Sequence, residues 1–128
     1  VREEISRRTR LWYEAAYNEN SETWEICSRY LRRMAEVTRR EKIPLVVLLL
    51  PPILKTDGDY PYGWIHDQVI ARLDELGIQS IDLRDVFDGQ EAETLWVHPT
   101  DHHPNELAHR LIAAHIGPLV TPLIQKSR

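Results

Sequence analysis

Cysteine is almost missing from this chain. Cys27 stands alone, so no internal disulfide can form and the redox compartment stays open. It sits beside Ile26 on an apolar helical stripe and reads as small core filler. Surplus basic charge is missing too. The 16 Lys and Arg against 20 Asp and Glu leave a net charge of −4, and without a dominant basic face no nucleic-acid partner is expected. The arginines gathered in the first forty or so residues (Arg7, Arg8, Arg10, Arg29, Arg32, Arg33, Arg39, Arg40) are interleaved with glutamates, the pattern of a solvated helix face. The longest apolar run, 45–50 with its flanking prolines, is far too short to span a bilayer, so no membrane span is expected. Repeats, low-complexity stretches and linkers are absent. Residues 1–128 therefore read as a single domain, long enough to bury a core.

What is present has α/β organisation. Residues 2–17 are rich in helix formers, with Ile5, Leu11, Trp12 and Ala15/Ala16 as expected buried positions. Asn18-Glu19-Asn20-Ser21 breaks that helix, and Ser21 can cap the next. Trp24, Cys27, Tyr30/Leu31, Met34 and Val37/Thr38 then recur at helical spacing to about Arg40. Leu45-Val46-Val47-Leu48-Leu49-Leu50, closed by Pro51-Pro52, reads as a strand buried on both faces. Asp57-Gly58 and Pro61 carry turn chemistry. Ile65, Val69, Leu73 and Leu76 mark a helix ended by Gly77, and 78–83 is a second strand. Residues 85–93 read as an irregular loop, with Leu95-Trp96-Val97 as a weak third strand. After Asn105 a helix is expected, with Leu107, Leu111 and Ala114/His115 inward, stopping near Gly117-Pro118.

Strand, helix and strand with near-continuous apolar strands imply a parallel crossover in an α/β layer fold. So small a parallel sheet is rarely stable alone. Either a second copy covers its edge, or strands N-terminal to Val1 are missing. Because the chain begins at Val1 and not at methionine, the second is expected.

The most specific segment is His98-Pro99-Thr100-Asp101-His102-His103-Pro104-Asn105-Glu106-Leu107-Ala108-His109-Arg110-Leu111-Ile112-Ala113. It resembles the last conserved block of the SGNH/GDSL hydrolases, in which an Asp and a His precede Pro-Asn and a helix. The apolar strand ending at Pro51, the helix with Leu73-Asp74-Glu75-Leu76-Gly77-Ile78, and Ile81-Asp82-Leu83 extend the resemblance over roughly 24–120. It implies a flavodoxin-like three-layer α/β/α sandwich with a parallel sheet, here incomplete, with the N-terminal strands missing. On that reading 1–128 is the C-terminal part of an SGNH-type hydrolase domain. It also implies hydrolysis of a carboxylic ester, or transfer of its acyl group, through a Ser–His–Asp triad. The partner would be a small-molecule ester, its acyl group carried on a sugar or a lipid. No cofactor and no metal are expected.

In that resemblance His103 is the catalytic base and Asp101 the orienting acid. A hydroxyl needs a base before it can attack a carbonyl at neutral pH, and an imidazole titrates in the right range. A carboxylate on its other nitrogen fixes the tautomer. The spacing here is Asp-x-His, where the commonest family spacing is Asp-x-x-His, with Thr100 at that acid position. No Gly-Asp-Ser turn occurs, and Ser6, Ser21, Ser28, Ser80 and Ser127 lie in helix, cap, strand or tail contexts. The chain alone is therefore expected to be inactive. His66, His109 and His115 read as packing or surface residues. Trp64 and Trp96 are candidates to line a substrate cleft.

Three other readings compete. Asp101-His102-His103 also resembles the signature of phosphoesterases that bind two manganese ions, although Asp82 is then alone in its strand. His98, Asp101, His102 and His103 could together hold zinc by ligand type. A non-catalytic, hydrolase-like binding module is the third.

Overall fold

The computed structural model describes residues 2–54 and 60–126, with side chains from 7 to 54 and from 60 to 125. The Asp57-Gly58 turn and the side chains of Ile5, Ser6 and Ser127 lie outside the described residues. The chain is mixed α/β. Its elements run α1 (Arg2–Ala16), α2 (Glu22–Arg40), β1 (Val46–Leu49), α3 (Gly63–Glu75), β2 (Gln79–Asp82), a 3₁₀ turn (Ala92–Leu95), β3 (Trp96–His98), β4 (Asp101–Pro104) and α4 (Glu106–Lys126).

Local chemistry sets most of these boundaries. Ser21 caps α2 by accepting the Trp24 N–H at 3.1 Å, satisfying one of the helix's free amides. Gly77, at φ 64°, ends α3 in a Schellman motif. Its N–H donates to Asp74 C=O at 3.0 Å and that of Ile78 to Leu73 C=O at 2.9 Å, satisfying carbonyls the helix leaves open. The same pattern closes α2, but there Lys42 takes the left-handed position at φ 56°, which costs a non-glycine residue about 1 kcal/mol.

β1 and β2 pair in parallel, Val46 opposite Gln79 through Leu49 opposite Asp82. Alternation then sends side chains to opposite faces. On one, Val47 and Leu49 meet Ala35 and Leu31 of α2 and Leu73 and Val69 of α3. On the other, Val46, Leu48 and Ile81 meet Ile112, Ile116 and Val120 of α4. Helices thus cover both faces of a sheet that has only two strands. Among the described residues the outer edges of β1 and β2 carry no further strand. The expected burial of 45–50 on both faces is only partial, for Val46, Val47 and Leu48 are half-buried and Leu50 is 50% exposed.

Two helices turn a different face inward than the apolar pattern predicts. In α1, Leu11 and Trp12 are exposed. Tyr13, and Tyr17 just past the helix end, make the contacts instead, their rings tilted against Tyr62 and Trp24 with centroids 4.8 and 6.1 Å apart. In α2 the buried positions are Trp24, Ser28 and Ala35, while Cys27 and Met34 face solvent. Small side chains at 28 and 35 allow close approach, so Cys27 is not core filler. The N-terminal arginines are mostly exposed as expected, with Arg10–Glu14 and Arg33–Glu36 paired along the helices.

Residues 96–98 do not join the parallel sheet. β3 pairs with β4 as a separate antiparallel hairpin, with an irregularity between Trp96 and His98. α4 does not stop at Gly117-Pro118 but carries Pro118 and Pro122 inside it. Ala108 and Ile112 are its buried positions, with Leu107 and Leu111 half-buried and Ala114 and His115 exposed. By length and composition α4 is long and apolar enough to cross a bilayer over Glu106–Gln125, a test that core helices of soluble proteins also pass.

Candidate active site

The hairpin stands beyond the carboxyl ends of β1 and β2, the end of a parallel sheet where ligands bind. It is fixed there by a small core of Ile53, Leu95 and Ala108, with Phe87, Trp96 and Leu111 around it. Polar bonds complete the anchorage. Trp96 Nε1–H donates to Ile53 C=O at 3.0 Å. The Asn105 side chain donates to Thr94 C=O at 2.8 Å and Trp96 C=O at 3.1 Å, and its Oδ1 accepts the Ala108 N–H at 3.1 Å. One amide therefore caps α4 and ties the hairpin to the preceding 3₁₀ turn.

On an extended strand, residues two apart share a face. β4 uses this directly. Asp101 Oδ1 bonds His103 Nδ1 and also accepts the His103 backbone N–H at 3.1 Å. His102, between them, turns away and stacks on the Trp96 indole at 3.9 Å. Thr100 bonds His98 at 2.8 Å and not His103. Asp-x-His is thus the spacing that a strand requires, whereas Asp-x-x-His would place the acid on the wrong face. The His103 imidazole is 85% exposed and the Asp101 carboxylate 48%. The His103 side chain, then its backbone N–H, hold the Asp101 carboxyl below the usual carboxylate range. Among the described residues nothing bonds His103 Nε2.

The described serines do not serve that nitrogen. Ser21 Oγ donates to Ala16 C=O at 2.9 Å as it caps α2, Ser28 is buried in α2, and Ser80 lies within β2. Nor do the four side chains at 98 and 101–103 form a ligand set, since no three His, Cys, Asp or Glu side chains among the described residues converge as a metal site would require.

A second cluster was not anticipated. His66, 4% exposed, bonds Asp82 Oδ1 through Nδ1 at 2.6 Å and the Tyr60 hydroxyl through Nε2 at 3.0 Å. Asp82 is also held by the Arg84 backbone N–H at 2.9 Å and by Arg84 Nε at 2.5 Å. Arg84 then reaches Asp67 at 2.6 Å. Asp82, the one carboxylate of β2, is the centre of this chain of bonds. The signal lay in the sequence: His66 shares a helical face with Leu73, and a polar group on a buried stripe needs a partner.

Burial pushes the Asp82 carboxyl up, but hydrogen bonds from the Arg84 N–H, His66 and the Arg84 guanidinium outweigh it and bring it below its ordinary value. A carboxyl depressed in the folded state adds stability above its unfolded pKa, and that stability is lost as pH falls through the native value. Asp82→Asn should therefore destabilise the chain by about 1–3 kcal/mol at pH 7. The gap between the two proteins should narrow below about pH 4. Urea denaturation at neutral and acid pH measures both; a gap that widens on acidification would contradict the assignment.

No known family model, curated protein or solved structure matches this chain. The functional reading therefore rests on the residues and their geometry.

Proposed function

We propose that this chain supplies the acid–base pair of a serine-type ester hydrolase of the SGNH/GDSL kind, with His103 as base and Asp101 as its orienting carboxylate. The observation that carries the reading is their pairing on one face of β4, at the carboxyl end of a parallel sheet, with His103 Nε2 open to solvent. Residues 1–128 would form the C-terminal part of a flavodoxin-like α/β/α domain. Helices on both faces of β1 and β2 support that architecture, and the unpaired strand edges have room for more strands.

The chemistry follows from the pair. Asp101 holds the proton on Nδ1, so Nε2 presents its lone pair to an incoming hydroxyl. As the hydroxyl oxygen attacks the ester carbonyl, Nε2 takes its proton and then returns it to the departing alcohol oxygen. Water, activated by the same nitrogen, releases the acid; an alcohol in its place would receive the acyl group. The serine and the oxyanion donors belong to residues outside these 128. The substrate is a small-molecule ester.

The test uses the gene product that carries this segment. A fluorophosphonate should label a single serine, and hydrolysis of p-nitrophenyl acetate should survive EDTA unchanged. The 128-residue chain alone should show no turnover above that of free imidazole. Absence of labelling, together with loss of activity on chelation, would sink the reading in favour of metal chemistry.

A further inference from the structure

The apolar stripe that the sequence marks on α2 is split by the fold. Trp24, Ser28 and Ala35 turn inward, and Leu31 packs against the same core as Ala35. Ile26, Tyr30 and Met34 stay exposed, Tyr30 by 66%. Steps of four set these three along one side of the helix. Thr23, also exposed, and half-buried Val37 extend the row at steps of three. Among the described residues no core cluster takes in Ile26, Tyr30 or Met34. A continuous apolar row at the surface marks contact with another molecule.

Charge selects the partner. Residues 18–25 hold Glu19, Glu22 and Glu25 and no basic residue, whereas 29–40 hold five arginines against the single Glu36. A second α2 laid antiparallel on the first sets each acidic end on a basic one. Laid parallel, it sets like on like. The flank of the row repeats the pattern, for Glu22 and Arg33, about three turns apart, lie on the same side of it. Arg33 reaches Glu36 at 3.4 Å with both side chains more than half exposed. Such a pair is worth little and is easily exchanged for one across an interface.

We propose that α2 is the contact face of a two-fold dimer, packed antiparallel on α2 of a second copy and centred at 27–28. Ile26 of each copy meets Tyr30 of the other, Met34 meets Thr23, and Glu22 pairs with Arg33. The interface is self-complementary, so each of these contacts occurs twice. Arg29 falls beside its own counterpart near the axis, with Glu25 one turn away in each copy to balance it. One helix per copy is a small interface, so the dimer dissociates on dilution. It does not rest on the ester reading.

Sedimentation velocity of the 128-residue chain, from micromolar to millimolar concentration, tests this. The mass should rise from 15.0 kDa to twice that value. Tyr30→Glu should weaken association by about tenfold or more, and Ile26→Lys reads the same contact should Tyr30→Glu fail to fold. Glu22→Arg and Arg33→Glu should each stay monomeric alone and associate when mixed, because the mixture sets arginine against glutamate on the flank at both ends. A chain that stays at 15.0 kDa throughout overturns the proposal and leaves the row to a different occupant. A dimer that survives Tyr30→Glu and Ile26→Lys overturns it too, since it pairs through another face. Failure of the two charge variants to associate when mixed does the same.

Discussion

Replacing His103 by alanine in the gene product that carries this segment should lower kcat for p-nitrophenyl acetate by about 10⁴-fold or more, because the members of a triad act as a unit. Asp101→Asn should cost about 10²- to 10⁴-fold, since the imidazole loses the group that fixes its tautomer. The two losses should not add, for once the base is gone its orienting carboxylate has nothing to orient. Stability provides the control. Both side chains are solvent-facing, and substitutions at such positions shift stability by no more than about 0.5 kcal/mol. Rate and unfolding free energy should therefore separate cleanly. Initial-rate kinetics alongside urea denaturation test this, and retention of the wild-type rate in His103→Ala would remove the base from the proposal.

Leu95→Ala should show the opposite profile. Leu95 is 1% exposed and packs with Ile53 and Ala108. Its carbonyl also accepts the Asn105 N–H at 2.8 Å at the start of α4. Truncation leaves a cavity where the hairpin meets the strand ends, and such losses run at about 3–5 kcal/mol. Against a total stability of about 5–15 kcal/mol for a domain, that is enough to loosen the hairpin and scatter Asp101 and His103. Leu119→Ala, on the 47% exposed side of α4, should change stability by less than about 0.5 kcal/mol. Denaturant midpoints of the two variants give the comparison; equal midpoints would mean that the Leu95 cluster does not anchor the hairpin.

The parts of the fold legible in the sequence were those decided by near neighbours. Ser21 as a cap, Gly77 as a helix stop, the strand before Pro51-Pro52 and the helix after Asn105 each depend on a few adjacent residues. The inward face of α2 was less legible. Apolar residues run along more than one side of it, and the choice fell to Ser28 and Ala35, whose small size matters only beside a second element. Pro118 reads as a stop because it lacks an N–H, yet on a largely exposed helix the carbonyl it leaves free can face water. At the site, Asp101 and His103 could be singled out as residue types. That they share a face followed only from β4 being a strand, and 101–104, with one acid and two imidazoles, does not have the composition of one. The bonds from Asp82 to His66 and on to Tyr60 cross from strand to helix to loop, a distance that local periodicity does not span.

The two kinds of strand pairing also differ in how far apart the partners lie along the chain. Val46 meets Gln79 across the whole of α3, whereas His98 meets Asp101 across a single turn. Closing the longer loop carries the greater entropic penalty, so the hairpin is the local contact and the parallel pair the non-local one. The bond from Asp101 to His103 lies wholly within the hairpin. The imidazole's orientation thus depends on the hairpin and on the Ile53, Leu95 and Ala108 core that seats it, and not on a filled outer edge of the parallel pair.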